Sequence, residues 1–272
     1  MATESVTSAR RGRVLLAAVA LCAAGGLATP PSVAAAPVGG YVALGDSYAS
    51  GVGAGSYDSR SGDCQRSTRA YPQLWADTYA PSSFDFTACA GATTSDVTDS
   101  QVGPLGRGTE LVSITAGAND AGMSEVLVTC VLQTESACRD RAAEARAYIN
   151  ETLPGRLDDV YTAIRGEARS ASVVVLGYPR IYELGGTCPA GGLSEESRAE
   201  VNSALDELND VTGKRAADHG FSFGDVRSAF TGHEICSDDP WIHGMTIPVG
   251  DSYHPTAEGH SDGYLPVLDD IA

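Results

Sequence analysis

Positive charge is scarce in this sequence. Against 35 Asp and Glu there are 18 Lys and Arg in 272 residues, a formal net charge of −17 at pH 7, and Lys214 is the only lysine. So acidic a chain repels the phosphates of nucleic acid and the anionic face of a membrane, which excludes nucleic acid as the expected partner. There is no C-x-x-C pair and no histidine at ligand spacing from two cysteines, so a structural zinc site is not expected. The longest apolar stretch, residues 14–23, is shorter than the roughly 20 residues that span a bilayer, so stable membrane insertion is not expected either. Aromatics are few at 7%, no internal repeat is visible and no linker divides the chain. What is present, 43% apolar residues with 31 Gly and 13 Pro, is the composition of a globular protein.

The first 36 residues read as a segment that is not part of the fold. Arg10, Arg11 and Arg13 precede the apolar stretch, and SVAAAP offers small residues at Ala34 and Ala36 for cleavage. This is the pattern of a secretory signal peptide, which makes 37–272 a single mature domain, secreted, extracellular and monomeric. Cys22 leaves with the leader, and Cys64, Cys89, Cys130, Cys138, Cys188 and Cys236 remain. An even number in an exported chain fits disulfides. Many pairings are open to six cysteines, and the simplest joins neighbours in sequence: Cys64–Cys89, Cys130–Cys138 and Cys188–Cys236.

Short β-rich apolar runs recur at 41–46, 84–89, 110–117, 172–178 and 221–226, each too short for a buried helix. Helical patterns lie between them at 67–79, 121–132, 138–165 and 194–218, with a last one at 256–271. Pro154 fits only the first turn of a helix, so the 138–165 pattern is expected to break near Thr152. Strand and helix in alternation predict a parallel sheet covered on both faces. Ligands of such sheets gather beyond the carboxyl ends of the strands, so residues that follow strands are the first candidates for chemistry.

Ser47 follows the first run in GDSYASG, exposed at a tight turn into a helix whose free N–H groups favour developing negative charge. Such a turn is also an ordinary helix cap. After the second run, CAGATTSD places Gly91 where little side-chain bulk hinders approach to the backbone. After the third, TAGAND places Asn119 at the start of a helix. Its neutral amide is an N-cap by default, and equally a donor for an oxyanion. Near the C-terminus, DSYHPTAEGH sets Asp251 three residues before His254, a spacing that lets a carboxylate reach the imidazole and fix its tautomer. His219, His233, His243 and His260 lack an Asp at that spacing and read as structural. GHSDG (259–263) matches the G-x-S-x-G elbow, but no strand precedes it and no His follows it, so Ser261 is rejected as a nucleophile.

In order, GDSYASG, Gly91, GAND and DSYHP resemble the GDSL or SGNH hydrolase family, especially its secreted actinobacterial lipases, esterases and phospholipases. The resemblance runs from about 41 to 260, and the six cysteines look like the three-disulfide arrangement of those members. It implies a flavodoxin-like α/β/α sandwich with five parallel strands ordered 2-1-3-4-5. By motif it implies Ser47 as nucleophile, His254 as base, and an oxyanion hole of Ser47 N–H, Gly91 N–H and the Asn119 side chain. Asp251 completes a triad unless, as in some relatives, a backbone carbonyl, here of Ser252, orients the ring.

The expected reaction is hydrolysis of lipid or other acyl esters through an acyl-enzyme, with no metal and no cofactor. The alternative on the same fold is a carbohydrate acetylesterase. An unperturbed imidazole would make activity rise with pH near 6.5. Val52, Leu105, Ile181, Leu184, Leu193 and Trp241 are the candidate lining of an acyl groove.

Overall fold

Five strands define the centre of the molecule: β1 (Gly40–Gly45), β2 (Phe84–Phe86), β3 (Thr109–Thr115), β4 (Ser172–Leu176) and β5 (Ser222–Gly224). All pairs are parallel, and the order is β2-β1-β3-β4-β5. The computed structural model describes residues 39–185, 188 and 193–272. The leader read at 1–36 lies outside the described residues, and Pro37–Ala272 forms one compact unit.

The inner strands β1 and β4 form where the sequence offers apolar runs, Tyr41–Leu44 and Val173–Leu176. Val173, Val174, Val175 and Leu176 of β4 are all buried, as is every residue of β1. Each Val or Leu side chain among them contributes roughly 1.5–3 kcal/mol on burial. A sheet covered on both faces requires this near-continuous apolarity.

Helices supply the two covering layers. The long ones are α4 (Met123–Leu132), α5 (Glu135–Glu151), α6 (Leu153–Glu167) and α7 (Glu195–Asp218), which pack on one another, while α2 (Tyr71–Tyr79) packs on α8 (Leu265–Asp269). Short helices α1 (Ser47–Ser50) and α3 (Thr94–Asp96) follow β1 and β2. The break between α5 and α6 falls at Thr152, with Pro154 in the first turn of α6, where a missing N–H costs nothing. The terminal pattern at 256–271 is less regular than its periodicity suggests: a π-helical turn, Gly259–Tyr264, precedes α8.

Three disulfides join Cys64 to Cys89, Cys130 to Cys138 and Cys188 to Cys236. The first fastens the loop after α1 to the segment after β2. The second holds the end of α4 against the start of α5.

Candidate active site

The site begins at the carboxyl end of β1. Gly45 has φ +124, and a Cβ there would lie 2.4 Å from the Thr115 carbonyl, so only glycine lets β1 run this close to β3. Gln101 holds the same residue from the side: its Oε1 accepts from Gly45 N–H at 2.7 Å and its Nε2 donates to Gly45 C=O at 2.9 Å. Asp46 follows as the N-cap of α1. Its carboxylate accepts hydrogen bonds from Tyr48 N–H at 3.0 Å, Thr115 Oγ1 at 2.7 Å and the Tyr178 hydroxyl. Burial nevertheless outweighs these donors and pushes the carboxyl up to about 6.

Ser47 is therefore the first residue of a helix whose cap is locked on three sides. Its Oγ lies 2.8 Å from His254 Nε2. The other ring nitrogen, Nδ1, lies 3.0 Å from the Ser252 carbonyl. A carbonyl only accepts, so Nδ1 carries the hydrogen and Nε2 presents a lone pair to the serine. Burial pulls the imidazole down to about 4, against the opposing pull of the Ser252 carbonyl and the Asp251 charge. The rise of activity near pH 6.5 expected from an unperturbed ring is thus displaced to more acid pH.

Asp251 departs from its expected role. Its carboxylate accepts from the Tyr57 hydroxyl at 2.8 Å and makes no hydrogen bond to the imidazole. The physical reason lies in the turn: Tyr253 takes φ +64, and the Ser252 carbonyl meets Nδ1 in place of a carboxylate. The Tyr57 oxygen in turn accepts from Gly53 N–H at 2.9 Å, so Asp251 fastens the His254 turn to the loop that follows Ser47. His243 braces that junction as well, with Nε2 2.9 Å from the Gly53 carbonyl and its backbone paired to residues 253 and 254.

The donors that would face an oxyanion come from three segments. Ser47 N–H sits at the first position of α1, where amides lack intrahelical partners. Gly91 has φ +76, with open space where a Cβ would be, and its N–H has no partner among the described residues. Asn119 lies in the turn after β3 rather than at the head of α4, which starts at Met123. One hydrogen of its Nδ2 is committed to the Ala92 carbonyl at 2.9 Å, which orients the amide and leaves the second hydrogen free. Asp120, to which the sequence motif assigns no role, accepts from Thr94 N–H at 2.9 Å and from Thr94 Oγ1 at 2.6 Å. It ties the Gly91 segment to the Asn119 turn.

Ser47, Asn119 and His254 share the wall of a cavity of about 360 Å3. Its apolar lining comes mainly from α4, through Met123, Leu127 and Val131, with Ile181, Leu205 and Met245 opposite. Of the groove residues expected from the sequence, only Ile181 belongs to it. Val52 and Leu105 are core, and Leu184 is exposed elsewhere. The remaining histidines stay away from the nucleophile: His219 contacts Asp158, His233 stacks on Trp241, and His260 is buried beside Tyr71 and Tyr264. Ser261 is bonded only to the Glu258 carbonyl, at 3.4 Å.

A hydroxyl against a neutral imidazole, beside unpaired N–H groups and an apolar cavity, is the equipment of a serine-dependent acyl hydrolase. The GDSL-like lipase/acylhydrolase family profile matches residues 43–261, and the chain belongs to this family. It is a carboxylic ester hydrolase of the lipase/esterase kind. Among relatives, the lipase of Streptomyces rimosus is 59% identical over 255 residues, covering 94% of both chains. The crystal structure of the extracellular lipase of Streptomyces rimosus superposes with a TM-score of 0.84 at 60% identity. That of phospholipase A1 from Streptomyces albidoflavus does so with 0.85, also at 60%. Each covers 86% of this chain and 100% of the other.

Proposed function

We propose that the protein is a secreted, monomeric enzyme that hydrolyses carboxylic esters of lipids, including phospholipids, through a Ser47–His254 dyad. The observation that carries this reading is the 2.8 Å contact of Ser47 Oγ with His254 Nε2 at the wall of an apolar cavity. As the Ser47 oxygen bonds to the ester carbonyl carbon, its proton passes to Nε2. The imidazolium is held by the Ser252 carbonyl through Nδ1–H, and the new oxyanion is met by Ser47 N–H, Gly91 N–H and Asn119 Nδ2. Collapse of the tetrahedral species breaks the bond to the alcohol, which leaves with the proton from Nε2. A water then repeats the sequence on the acyl-enzyme and frees the acid.

Residues 1–36 serve as the signal peptide and 37–272 as the mature domain in this reading. It is supported by the three disulfides and by the extracellular lipase among the relatives. No helix among the described residues is long and apolar enough to cross a membrane.

Fluorophosphonate labelling read by mass spectrometry tests the nucleophile. The label is expected on Ser47, and Ser47→Ala should lose about 10⁶-fold in kcat. Label on another serine, with Ser47→Ala still active, would overturn the mechanism. Comparing p-nitrophenyl acetate with p-nitrophenyl decanoate tests the substrate class. The apolar cavity favours turnover of the decanoate, whereas hydrolysis confined to acetate would support the carbohydrate acetylesterase instead.

A further inference from the structure

Tyr48 follows the nucleophile in the chain, and the reaction described above leaves its hydroxyl unused. It is the second residue of α1, it is buried, and it is held at both ends. Its backbone N–H donates at 3.0 Å to the Asp46 carboxylate that caps the helix. Its hydroxyl donates at 2.7 Å to the carbonyl of Tyr253, 205 residues further along. That carbonyl belongs to the peptide unit whose nitrogen is that of His254. A peptide unit is planar, so the hydroxyl bears on the backbone from which the imidazole hangs.

The contact falls where the turn most needs it. Tyr253 has φ +64, a conformation that residues other than glycine rarely adopt and that neighbours must hold in place. Its N–H donates to the His243 carbonyl at 2.9 Å, and the Tyr48 hydroxyl is the one donor to its carbonyl among the described residues. Apart from the reacting pair itself, this is also the only hydrogen bond between α1 and residues 250–254 among the described residues. The Tyr48 ring is confined in turn. Tyr178 packs edge-on to it with centroids 5.1 Å apart, Tyr264 lies at 6.3 Å, and the His254 ring itself lies at 5.4 Å. Burial, with the nearby Asp46 charge, raises the phenol well beyond its usual value, so the hydroxyl stays a donor wherever the imidazole is neutral.

We infer that Tyr48 is a positioning residue for the base: through its hydroxyl on the Tyr253 carbonyl it sets the His254 imidazole at its working distance from the adjacent Ser47. Two successive residues of α1 then carry the nucleophile and the arm to which its base is referenced. This rests on the Ser47–His254 reading, and adds a residue on which the dyad depends without its touching the reacting atoms.

Steady-state kinetics on a dissolved ester tests it. Tyr48→Phe keeps the ring and removes the donor, and should lose about tenfold in kcat with KM unchanged. Tyr41→Phe removes an equally buried hydroxyl, bonded to Ser113 Oγ at 2.7 Å on the strands behind the site, and should leave kcat as it is. In a His254→Ala background, Tyr48→Phe should cost nothing further, because the ring through which it acts is gone. A 3-fluorotyrosine installed at position 48 retains the hydroxyl and should retain kcat, with the fluorine resonance of a neutral phenol across the assay range; this arm stands whether or not Tyr48→Phe folds. Unchanged kcat in Tyr48→Phe would overturn the inference. A raised KM with kcat intact would overturn it by assigning the hydroxyl to the substrate. An equal loss in Tyr41→Phe, or in the His254→Ala background, would assign the effect to the fold at large and overturn it too, and a fluorine resonance that titrates would do so by showing a hydroxyl open to water. Failure of the dyad itself would appear separately, as full activity of the His254→Ala enzyme.

Discussion

At the Nδ1 edge of His254 the acceptor is the Ser252 amide carbonyl, and this decides what the neighbouring carboxylate contributes. In a triad, losing the carboxylate that holds the imidazole costs about 10⁴ in kcat, because the ring adopts the wrong tautomer. Asp251 instead receives the Tyr57 hydroxyl, and asparagine at 251 would still offer a carbonyl oxygen to that hydroxyl. Asp251→Asn is therefore expected to keep kcat/KM within about tenfold of the unmodified enzyme. Steady-state kinetics on a dissolved ester checks this, and a 10⁴-fold loss would restore Asp251 as the orienting acid. The sequence could not separate these outcomes. An Asp three residues before a His is compatible with both, and the choice is made by the backbone of Tyr253, whose φ of +64 is not a property that residue types announce.

Among the elements, β1 and β4 were legible as unbroken apolar runs and the other strands as short β-rich segments between turns, and the helices because their apolar positions recur at helical spacing. What escaped is short or polar. The turn from Thr94 through Gln101 has no apolar periodicity, yet it carries both the amide that holds Gly45 and the Thr94 that donates to Asp120. The cavity wall escaped for another reason: α4 is apolar nearly all round, so nothing in its sequence says which side faces core and which faces the nucleophile. The loop after α1 has its own test. Gly53 has φ +90, and a Cβ there would stand 2.6 Å from the Pro255 carbonyl and 3.0 Å from His254 Cβ. Gly53→Ala must push the His254 turn away from Ser47, and catalysis is sensitive to displacements of that order. A fall in kcat of about tenfold or more, with an unchanged far-ultraviolet spectrum, is expected. Unaltered kcat would mean that the turn yields without moving the imidazole.

Over the whole molecule, acid acts on catalysis and on folding through different groups. Catalysis needs a neutral His254, and its ring, pulled down to about 4, remains neutral well below the usual imidazole range. His260, buried without a partner for Nε2, is pulled down to about 3. Both histidines bind protons more readily in the unfolded chain, so stability is fully present above about pH 6.5 and is lost as pH falls toward their folded values. Asp46, raised to about 6, acts in the opposite sense: between about pH 6 and 4 the folded state holds its proton more tightly than the unfolded one. The carboxyls of Asp158 and Asp225, which arginines hold low in the folded state, act in the histidines' sense, so the balance is a loss of stability as pH falls through that window. The expected result is a kcat/KM that stays level from pH 7 to about pH 5 while the Tm from calorimetry declines over the same interval. Activity that halves near pH 6.5 with a constant Tm would contradict it.

The disulfide connectivity is another property of the whole chain. No bridge spans another: from Cys64 onward every cysteine is bonded to its neighbour in the sequence, across separations of 25, 8 and 48 residues. For a polypeptide threaded N-terminus first into an oxidising space, the second thiol of each pair finds one waiting predecessor, and that predecessor is the correct one. Order of emergence alone specifies the pairing, and thiol shuffling has nothing to repair.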